Sequence, residues 1–417
     1  MRYYLQFMVL NYIWIGFFVI AFVIAICKII FTGDYTIFTE MMNAVFSASK
    51  TGFEISLGLT GILSFWMGFM KIGEKGGAVG ALARLGSPIF SRLFPGVPKG
   101  HPAMGSIFMN IAANMLNLDN AATPMGLKAM KELQELNTKK DIASDPMLMF
   151  LVLNASGLTI IPITIMVYRA QAGAANPADI FIPILISTTM STLTGLIFVC
   201  IKQKINLLDK VLLGFIIGAI LSITAIVLWM KSLPQEKISI YSALVANSFL
   251  FCILLIFILS GMKKKINVYE VFIEGAKEGF KTAVMIIPYL IAILVGIALF
   301  RTSGAMTFLT DGIAYLVSLF GLPTDWVDAF PTALMKPLSG SGSRGMMIDA
   351  MQTFGPDSFV GHLACVFQGT TDTTFYVVAV YYGAVNIKNT RYTIPAALLA
   401  DLVGILTAVF VGYLIFK

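Results

Sequence analysis

Long hydrophobic runs, separated by short polar segments, make up most of the chain. Nine of these runs have about 20 residues, the length that crosses the hydrocarbon core of a bilayer as an α-helix. Two amphipathic stretches that contain glycine, 72–98 and 302–328, are more typical of helices that lie at the membrane interface. Spans are predicted at 11–31, 53–71, 147–168, 180–201, 211–230, 240–260, 282–300, 359–383 and 394–416.

Two further stretches, 102–127 and 329–351, are apolar at both ends and rich in polar residues, glycine or proline in the middle. A backbone break at membrane depth is tolerated only where it is buried in protein or lines a watery cavity. We therefore predict that each stretch is a re-entrant hairpin of two half-helices and not a full span.

The order of elements in the first half of the chain recurs in the second half. In each half a polar segment, 49–53 or 276–280, precedes a span, and a hairpin, a span with polar residues inside it and a last span follow. If the hairpins re-enter, each copy has three full spans, and an even linker between odd copies inverts the second one, as in many secondary transporters. The predicted organisation is an N-terminal transmembrane helix at 1–35, a first repeat at 36–202, a linker transmembrane hairpin at 203–265 and a second repeat at 266–417.

The composition agrees with a membrane protein. Hydrophobic residues make up 58% of the 417 residues and charged residues 12%, with a mean hydropathy of +0.85. So few charges cannot coat a water-soluble domain of this size. The predicted fold class is an all-α polytopic membrane protein with two inverted-topology repeats, each with a re-entrant helical hairpin and broken spans.

The net charge of +7 comes from cations that lie between the apolar runs and not along one polar face. This placement indicates membrane topology and argues against a nucleic-acid partner. Lys202, Lys204 and Lys210 before the linker hairpin, and the lysines 263–265 after it, place both of its flanks in the cytoplasm. Counting spans backwards predicts a cytoplasmic N-terminus.

The sequence contains few of the residues that enzyme active sites and metal sites require. The four cysteines lie far apart inside apolar stretches, and His101 and His362, the two histidines, fall near the starts of hydrophobic segments. HExxH, Gly-x-Ser-x-Gly and P-loop motifs are missing from the sequence. A Ser/Lys dyad built from the serines of 339–343 and Lys336 is the weakest alternative. We predict no enzyme activity, no catalytic residue, no metal site and no cofactor, apart from Na⁺ or H⁺ as a coupling ion.

Polar groups inside the apolar segments are the functional candidates, because a charge at the centre of a bilayer costs about 2.5–3.5 kcal/mol on insertion scales. In the first hairpin, Asn110, Asn114 and Asn117 share one helical face. Asp119 and Asn120 follow beside a break. The alternative is that the amides join helices inside the membrane. The solute-binding candidates here are Asn114, Asn117, Asp119 and Asn120.

The tip of the second hairpin alternates glycine with serine between two cations, Lys336 and Arg344. Glycine lets the backbone approach a ligand closely, and the N-terminus of a half-helix attracts anions. The alternative is that the two cations snorkel around a flexible loop. The solute-binding candidates in this hairpin are Lys336, Ser339, Ser341 and Arg344.

The spans that follow the hairpins add four more solute-binding candidates. They are Asn154 and Ser156 in one span, and Gln368 and Thr371 in the other.

Asp372, inside a run of four threonines, is the most exceptional residue of the chain. Threonine hydroxyls either bond its carboxylate or share a dehydrated cation with it, and Na⁺ or a proton suits such oxygen-rich surroundings. We assign cation coupling to Asp372, Thr373 and Asp119. Asp401 in the last span is a lesser candidate, expected to be a structural partner for a hydroxyl or a cation.

Two specific motifs carry a family resemblance. Residues 118–124 (Leu-Asp-Asn-Ala-Ala-Thr-Pro) with 126–133, and 337–342 (Pro-Leu-Ser-Gly-Ser-Gly) with 344–349, resemble spore maturation proteins A and B joined in one chain. The resemblance covers nearly everything outside the 211–260 hairpin. That family is grouped with the nucleoside recognition, or gate, domain, which is also found in concentrative nucleoside transporters and in the membrane part of ferrous iron permeases. The resemblance implies an inverted pair of gate domains with a transporter-like core, in the cytoplasmic (inner) membrane of a bacterium.

The chain departs from that family pattern at two positions. Asn117 stands where glycine is usual, and Asp372 stands where glutamate is usual. The second change keeps the charge but shortens its reach, so a cation held by Asp372 needs a tighter cavity.

The favoured hypothesis is a secondary permease in the lipid bilayer. It takes a small polar solute, anionic or nucleoside-like, at the midplane between the repeats, and Na⁺ or H⁺ drives it. The alternative is a non-transporting scaffold or sensor of envelope or spore maturation. A homo-oligomer is left open, and the sequence does not identify the solute, the coupling ion or the direction of transport.

Overall fold

The structure, a computed structural model, describes residues 3–117 and 119–417, without the side chains of 3–9, 119–121, 235–236 and 238–239. The described chain forms seventeen α-helices and one 3₁₀ turn at Val327–Ala329. The helices are α1 (Tyr3–Thr32), α2 (Ile37–Gly76), α3 (Ala78–Leu93), α4 (Pro102–Met115), α5 (Asp119–Leu136), α6 (Asp145–Ser156), α7 (Ile163–Gln171), α8 (Phe181–Gln203), α9 (Lys210–Lys231), α10 (Gln235–Lys263), α11 (Val268–Thr302), α12 (Ala305–Ser318), α13 (Phe330–Met335), α14 (Gly340–Phe354), α15 (Phe359–Thr370), α16 (Thr374–Ala384) and α17 (Thr393–Phe416).

Seven of the described helices are long and apolar enough to cross a membrane: α1, α2, α8, α9, α10, α11 and α17. This confirms the all-α polytopic membrane class. The linker hairpin α9–α10 leaves many large apolar side chains on the surface of the protein, among them Leu221, Leu228 and Leu259. Lipid-facing helices have this property.

The two other predicted spans are interrupted. Residues 147–168 form α6 and α7 with a break between them, and residues 359–383 form α15 and α16. In the first break Gly157 has a left-handed φ of +56°, and Pro162 precedes α7. A helix of 12 residues such as α6 is about 18 Å long, too short to cross a hydrocarbon core of about 30 Å. Both segments match the broken spans of the predicted fold class.

The two predicted hairpins are pairs of helices joined by a break. The Asn110 Nδ2 of α4 donates to the Ala122 carbonyl of α5 over 2.8 Å. The Ser343 Oγ of α14 donates to the Thr332 carbonyl of α13 over 2.7 Å. These contacts hold each pair together across its break, while entry of the pair into the membrane from one side stays a prediction.

The spans predicted to start at residues 53 and 282 begin earlier, at Ile37 and Val268. Polar residues lower the hydropathy of both starts. Near the start of α11, two of these residues pair with lysines at the end of α2. Lys71 pairs with Glu278 at 3.3 Å, and Lys75 with Glu274 at 2.5 Å.

α2 and α11 run antiparallel, since higher residue numbers on one helix meet lower numbers on the other. Glycine permits their close approach: a Cβ at Gly275 would lie 2.4 Å from the Met67 carbonyl oxygen. α8 and α17 are antiparallel too, because Gly195 faces Ala400 and Ser191 faces Gly404. Equivalent helices of the two halves therefore run in opposite directions. Inversion requires this relation, and the inverted repeat itself stays a prediction.

Candidate functional site

The four backbone breaks of the hairpins and broken spans meet. In the first half, the Ile160 N–H donates to the Met115 carbonyl at the end of α4 over 2.9 Å. In the second half, the Phe375 N–H donates to the Pro337 carbonyl over 3.0 Å. A helix end leaves backbone groups without intrahelical partners. In each half, a backbone carbonyl at the break of the hairpin thus accepts a hydrogen bond from a backbone N–H at the break of the neighbouring span.

The two halves also join at their breaks. The Asp372 N–H donates to the Ala155 carbonyl over 2.9 Å. On the other side of that contact, the Thr188 hydroxyl of α8 donates to the Gly157 carbonyl over 2.9 Å. The conformation of one broken span therefore depends on that of the other.

Replacement of Gly157 by alanine is expected to damage this crossing. The φ of +56° disfavours a residue with a side chain, and a Cβ at this position would lie 2.9 Å from the Asp372 backbone nitrogen. We expect a loss of about 1–3 kcal/mol in the free energy of unfolding from the clash alone. Thermal unfolding of the purified protein in detergent measures it.

Gly173→Ala is the matched control, because Gly173 has a φ of +80° with nothing within 4 Å of its Cβ position. It carries the backbone strain without the collision. Equal melting temperatures for the two variants would contradict a crossing that depends on close contact.

A central cavity of about 140 Å³ lies where the breaks converge. Both hairpins and both broken spans contribute to its wall. Predicted site residues that line it are Asn114, Asn117, Asn154, Lys336, Arg344, Gln368, Thr371, Asp372 and Thr373.

Amide groups bond to one another on one side of the central cavity. The Asn114 Nδ2 donates to the Asn154 Oδ1 over 2.8 Å, and the Asn117 Nδ2 donates to the Thr164 hydroxyl over 2.9 Å. These bonds link the first hairpin to the first broken span, as the alternative of helix-joining amides predicts. The same residues also face the cavity, and solute binding by Asn114 and Asn117 stays a prediction.

The backbone conformation of Asn117 is compatible with the glycine that the family resemblance leads us to expect at this position. Its φ is +58°, a conformation that glycine adopts most readily and that asparagine tolerates better than most other residues. Asparagine thus keeps the turn at the break and adds an amide that glycine lacks.

Two cations and one carboxylate are the charged groups among the described residues that line the central cavity. Lys336 is only 8% exposed, so it does not snorkel to a surface. The Arg344 guanidinium lies 5.6 Å from the centre of the Tyr168 ring, and it makes no ion pair with a described carboxylate. The wall of the central cavity therefore carries more positive than negative charge.

Arg344 also borders two neighbouring cavities. One, of about 160 Å³, lies between α2 and α11 beside Lys71 and Glu278. Another, of about 360 Å³, is lined by Ser341 and Tyr289. Arg344 lies where the three spaces adjoin, so its side chain is positioned to separate or connect them.

Asp372 is exposed in the central cavity. Its Oδ1 accepts a hydrogen bond from its neighbour's backbone, the Thr373 N–H, over 2.6 Å. The Thr374 hydroxyl instead donates to the Asp401 Oδ2 over 2.7 Å. The run of threonines thus contacts two carboxylates, of which Asp372 is exposed and Asp401 is buried.

The remaining predicted residues lie apart from the central cavity or outside the described side chains. Ser156 is fully buried and donates to the Leu153 carbonyl over 3.2 Å. Ser339 caps α14, where its Oγ accepts from the Gly342 N–H, and with Ser341 it lines the 360 Å³ cavity. The side chains of Asp119 and Asn120 lie outside the described residues.

Sequence reasoning missed a charged cluster at the end of α7. Arg169 is completely buried, and its Nη1 donates to the Pro356 carbonyl over 2.6 Å. Its Nη2 pairs with Asp179 at 3.0 Å and with Asp357 at 3.1 Å. The His362 Nε2 lies 2.8 Å from the Asp179 Oδ2. Residues so far apart in the chain leave no local pattern, apart from isolated charges at the ends of apolar runs.

The carboxylates and the imidazole of this cluster present ligand atoms within 4.8 Å of one another, a spacing compatible with a metal ion. The Arg169 guanidinium already bonds both carboxylates, however, and a cation there would meet a resident positive charge. The group is an ion-pair cluster that fastens α7 of the first half to the start of α15 in the second.

A second ion pair also joins the two halves, and here the arginine belongs to the second half. Arg391, which follows α16, pairs through its Nη1 with Asp145 at 2.5 Å and donates to the Ala143 carbonyl over 3.2 Å. Asp145 and Ala143 lie at the start of α6. In each half, an arginine at or after the end of the broken span thus contacts the beginning of the broken span in the other half.

Comparison with known proteins agrees with this division. The sequence profile of the family described as Gate, nucleoside recognition, matches residues 56–172 and 283–388. The two matched segments contain the four breaks and the residues of the central cavity.

Two curated relatives come from Bacillus subtilis (strain 168). Spore maturation protein B is 46% identical over 159 residues, which are 38% of this chain and 88% of that protein. Spore maturation protein A is 38% identical over 187 residues, which are 45% of this chain and 92% of that protein. No solved structure is detectably similar to the chain.

Proposed function

Because the chain belongs to the Gate family of nucleoside recognition proteins, we propose that it is a secondary membrane transporter for a small polar solute. The observation that supports this most directly is the central cavity, in which four interrupted helical segments gather amides, cations and a carboxylate. Broken helices that converge on a polar cavity are the usual construction of a transporter site. We place the protein in the cytoplasmic membrane of a bacterium with its N-terminus in the cytoplasm.

The solute proposed for the cavity is anionic or nucleoside-like. Lys336 and Arg344 supply positive charge, while Asn154 and Gln368 supply amide groups for polar edges. The Gln368 Oε1 is buried without a hydrogen-bond partner among the described residues, so it is available to accept one from a solute.

The size of the cavity bears on the transport cycle. A volume of about 140 Å³ is below the roughly 300 Å³ at which pockets for drug-sized ligands begin. A nucleoside therefore requires the central cavity to merge with a neighbouring one, which a movement of Arg344 would permit. In a transport cycle in which the cavities merge, the conformation with the small central cavity is a closed state.

A thermal-shift screen identifies the solute class. The full-length protein in detergent is heated with nucleosides, nucleobases and small organic acids, each with and without Na⁺. A solute that binds only the folded state raises the melting temperature. A hit is then tested for saturable uptake into liposomes under a proton or Na⁺ gradient, and binding without uptake would contradict the transporter proposal.

Asp372→Asn tests the coupling cation. Asparagine keeps the size of the side chain and removes its charge at the cavity wall, so we expect gradient-driven uptake of the hit to be lost while exchange of solute across the membrane continues. The measurement compares uptake under a gradient with counterflow at equal ion concentrations.

Asp311→Asn, at an exposed position of α12, is the matched control for the loss of one carboxylate and should behave as the wild type. Normal gradient-driven uptake by the Asp372→Asn variant would remove Asp372 from the coupling step.

The alternative is a scaffold or sensor that binds solute without moving it. We retain this alternative because the names of the two relatives refer to spore maturation and not to a solute. It predicts a thermal shift with a cavity ligand and no flux in liposomes.

A further inference from the structure

Asp401 is a buried carboxylate behind the central cavity. It lies on α17, is 3% exposed, and is absent from the cavity lining. Its Oδ2 accepts the Thr374 hydroxyl over 2.7 Å, whereas its Oδ1 is buried without a hydrogen-bond partner among the described residues. The Thr371 side chain also acts on the carboxylate. A buried ionised carboxylate with so few donors is costly, and a proton on the carboxylate removes that cost.

The packing around this carboxylate is tight. A Cβ at Gly404, three residues along α17, would lie 2.5 Å from the Thr370 Cγ2 and 3.1 Å from the Ser191 Cβ. A Cβ at Gly195 of α8 would lie 2.8 Å from the Val152 Cγ1. Such close approach suits a proton, which needs no volume, better than a metal ion that needs a shell of oxygen ligands.

Charged side chains of the central cavity interact electrostatically with Asp401. The charged groups that act on it are Lys336, which is attractive, and Asp372, which is repulsive. Both line the central cavity. A negative charge on Asp401 is therefore felt by the same two side chains that we propose to meet the solute or the coupling cation.

A hydrogen bond also links Asp401 to the break. Thr374 is the first residue of α16, immediately after the break at 371–373. Its hydroxyl fixes that end of the break to α17. Gain or loss of charge on Asp401 changes the strength of this bond, because hydrogen bonds to an ionised group are about twice as strong as neutral ones.

We propose that Asp401 is a proton-binding site that couples the transporter to a proton gradient, a step that rests on the transport function proposed above. One proton adds to the carboxylate when the cavity faces the acidic side and leaves when it faces the other side, and no other reactant takes part. Asp372, which is exposed in the central cavity, acts on the buried site through its charge.

Infrared difference spectroscopy of the full-length protein in lipid tests proton binding without any solute. Spectra are compared between about pH 6 and about pH 9, where exposed carboxylates, with pKa values near ~4, stay ionised. A protonated-carboxyl band that appears at the lower pH is expected in the wild type and in Asp372→Asn, and its loss is expected in Asp401→Asn. An unchanged band in Asp401→Asn, or no titrating band in the wild type, would overturn the proposal.

Two further variants keep the outcome interpretable. Asp401→Glu retains a titratable group and should retain a band, which separates loss of the proton site from loss of the fold. Glu135→Gln, on the exposed surface of α5, should leave the spectrum unchanged. If the band behaves as expected and no solute is ever transported, the transport proposal fails while proton binding stands. If transport occurs with Na⁺ alone and Asp401→Asn keeps full gradient dependence, the coupling role of Asp401 fails.

Discussion

Arg169→Met should lower the free energy of unfolding by about 3–5 kcal/mol, the range observed when one partner of a buried ion pair is removed. The side chain is completely buried and pairs with two carboxylates. Methionine preserves much of the volume but leaves Asp179, itself only 6% exposed, without its cation. The melting temperature in detergent, measured by loss of intrinsic fluorescence or by aggregation, is the readout.

Arg391→Met is the matched control, because it breaks the equivalent contact in the other half. The Arg391 side chain is 35% exposed and its partner Asp145 is 52% exposed. Exposed ion pairs contribute about 0–1 kcal/mol, so a much smaller loss of stability is expected. Equal losses in the two variants would show that burial does not distinguish the two contacts.

The difference between the two contacts has a consequence for transport. A cluster whose arginine is completely buried holds α7 to α15 firmly, whereas the exposed Arg391–Asp145 pair separates at little cost. In a transporter that alternates between two open states, the Arg391 side is the one expected to open more readily from this conformation.

Arg344→Gln should weaken solute binding roughly ten- to hundred-fold, since a hydrogen bond to a charged group contributes about 1.5–3 kcal/mol. Arg344 borders all three cavities and pairs with no described carboxylate, so its loss strands no buried negative charge. The protein should therefore stay folded while it loses affinity. Binding is measured by the thermal shift and by the concentration dependence of uptake.

Arg344→Lys separates charge from shape. Lysine keeps the positive charge but not the planar fork that holds two oxygen atoms at once. Intermediate affinity is expected if the solute carries a carboxylate or phosphate, and affinity equal to that of Arg344→Gln if stacking on Tyr168 is what positions the group. Unchanged binding in both variants would exclude Arg344 from the site.

The breaks could be predicted better than the contacts around them. Gly157 and Pro337 mark the breaks of the first broken span and of the second hairpin, so these two followed from local composition. The breaks between α4 and α5 and between α15 and α16 contain neither glycine nor proline, and Pro124 lies inside α5. The start of α11 was missed because charged residues such as Glu278, which pairs with Lys71 near the end of α2, lower the local hydropathy. A hydropathy scale scores every charged residue as exposed to water, whether or not it has an ion-pair partner on another helix.

The candidate site divides in the same way. Asn114, Lys336 and Gln368 were selected because each is polar within an apolar segment, and they face one cavity. Ser156 was selected on the same ground, yet it points into the packed interior. Which face of a helix borders a cavity depends on what packs against it, and the sequence does not contain that.

By itself, the sequence indicated a polytopic membrane protein and the approximate positions of its apolar segments, because the length and polarity of each segment act locally on the free energy of insertion. Only the tertiary structure decided that the four breaks meet, that Arg169 is buried against Asp179 and Asp357, and that Asp401 lies in a tight interface behind the central cavity. The contacts between the two halves join residues as far apart as Arg169 and Asp357, which are 188 positions apart, and their energies exist only once the helices have packed.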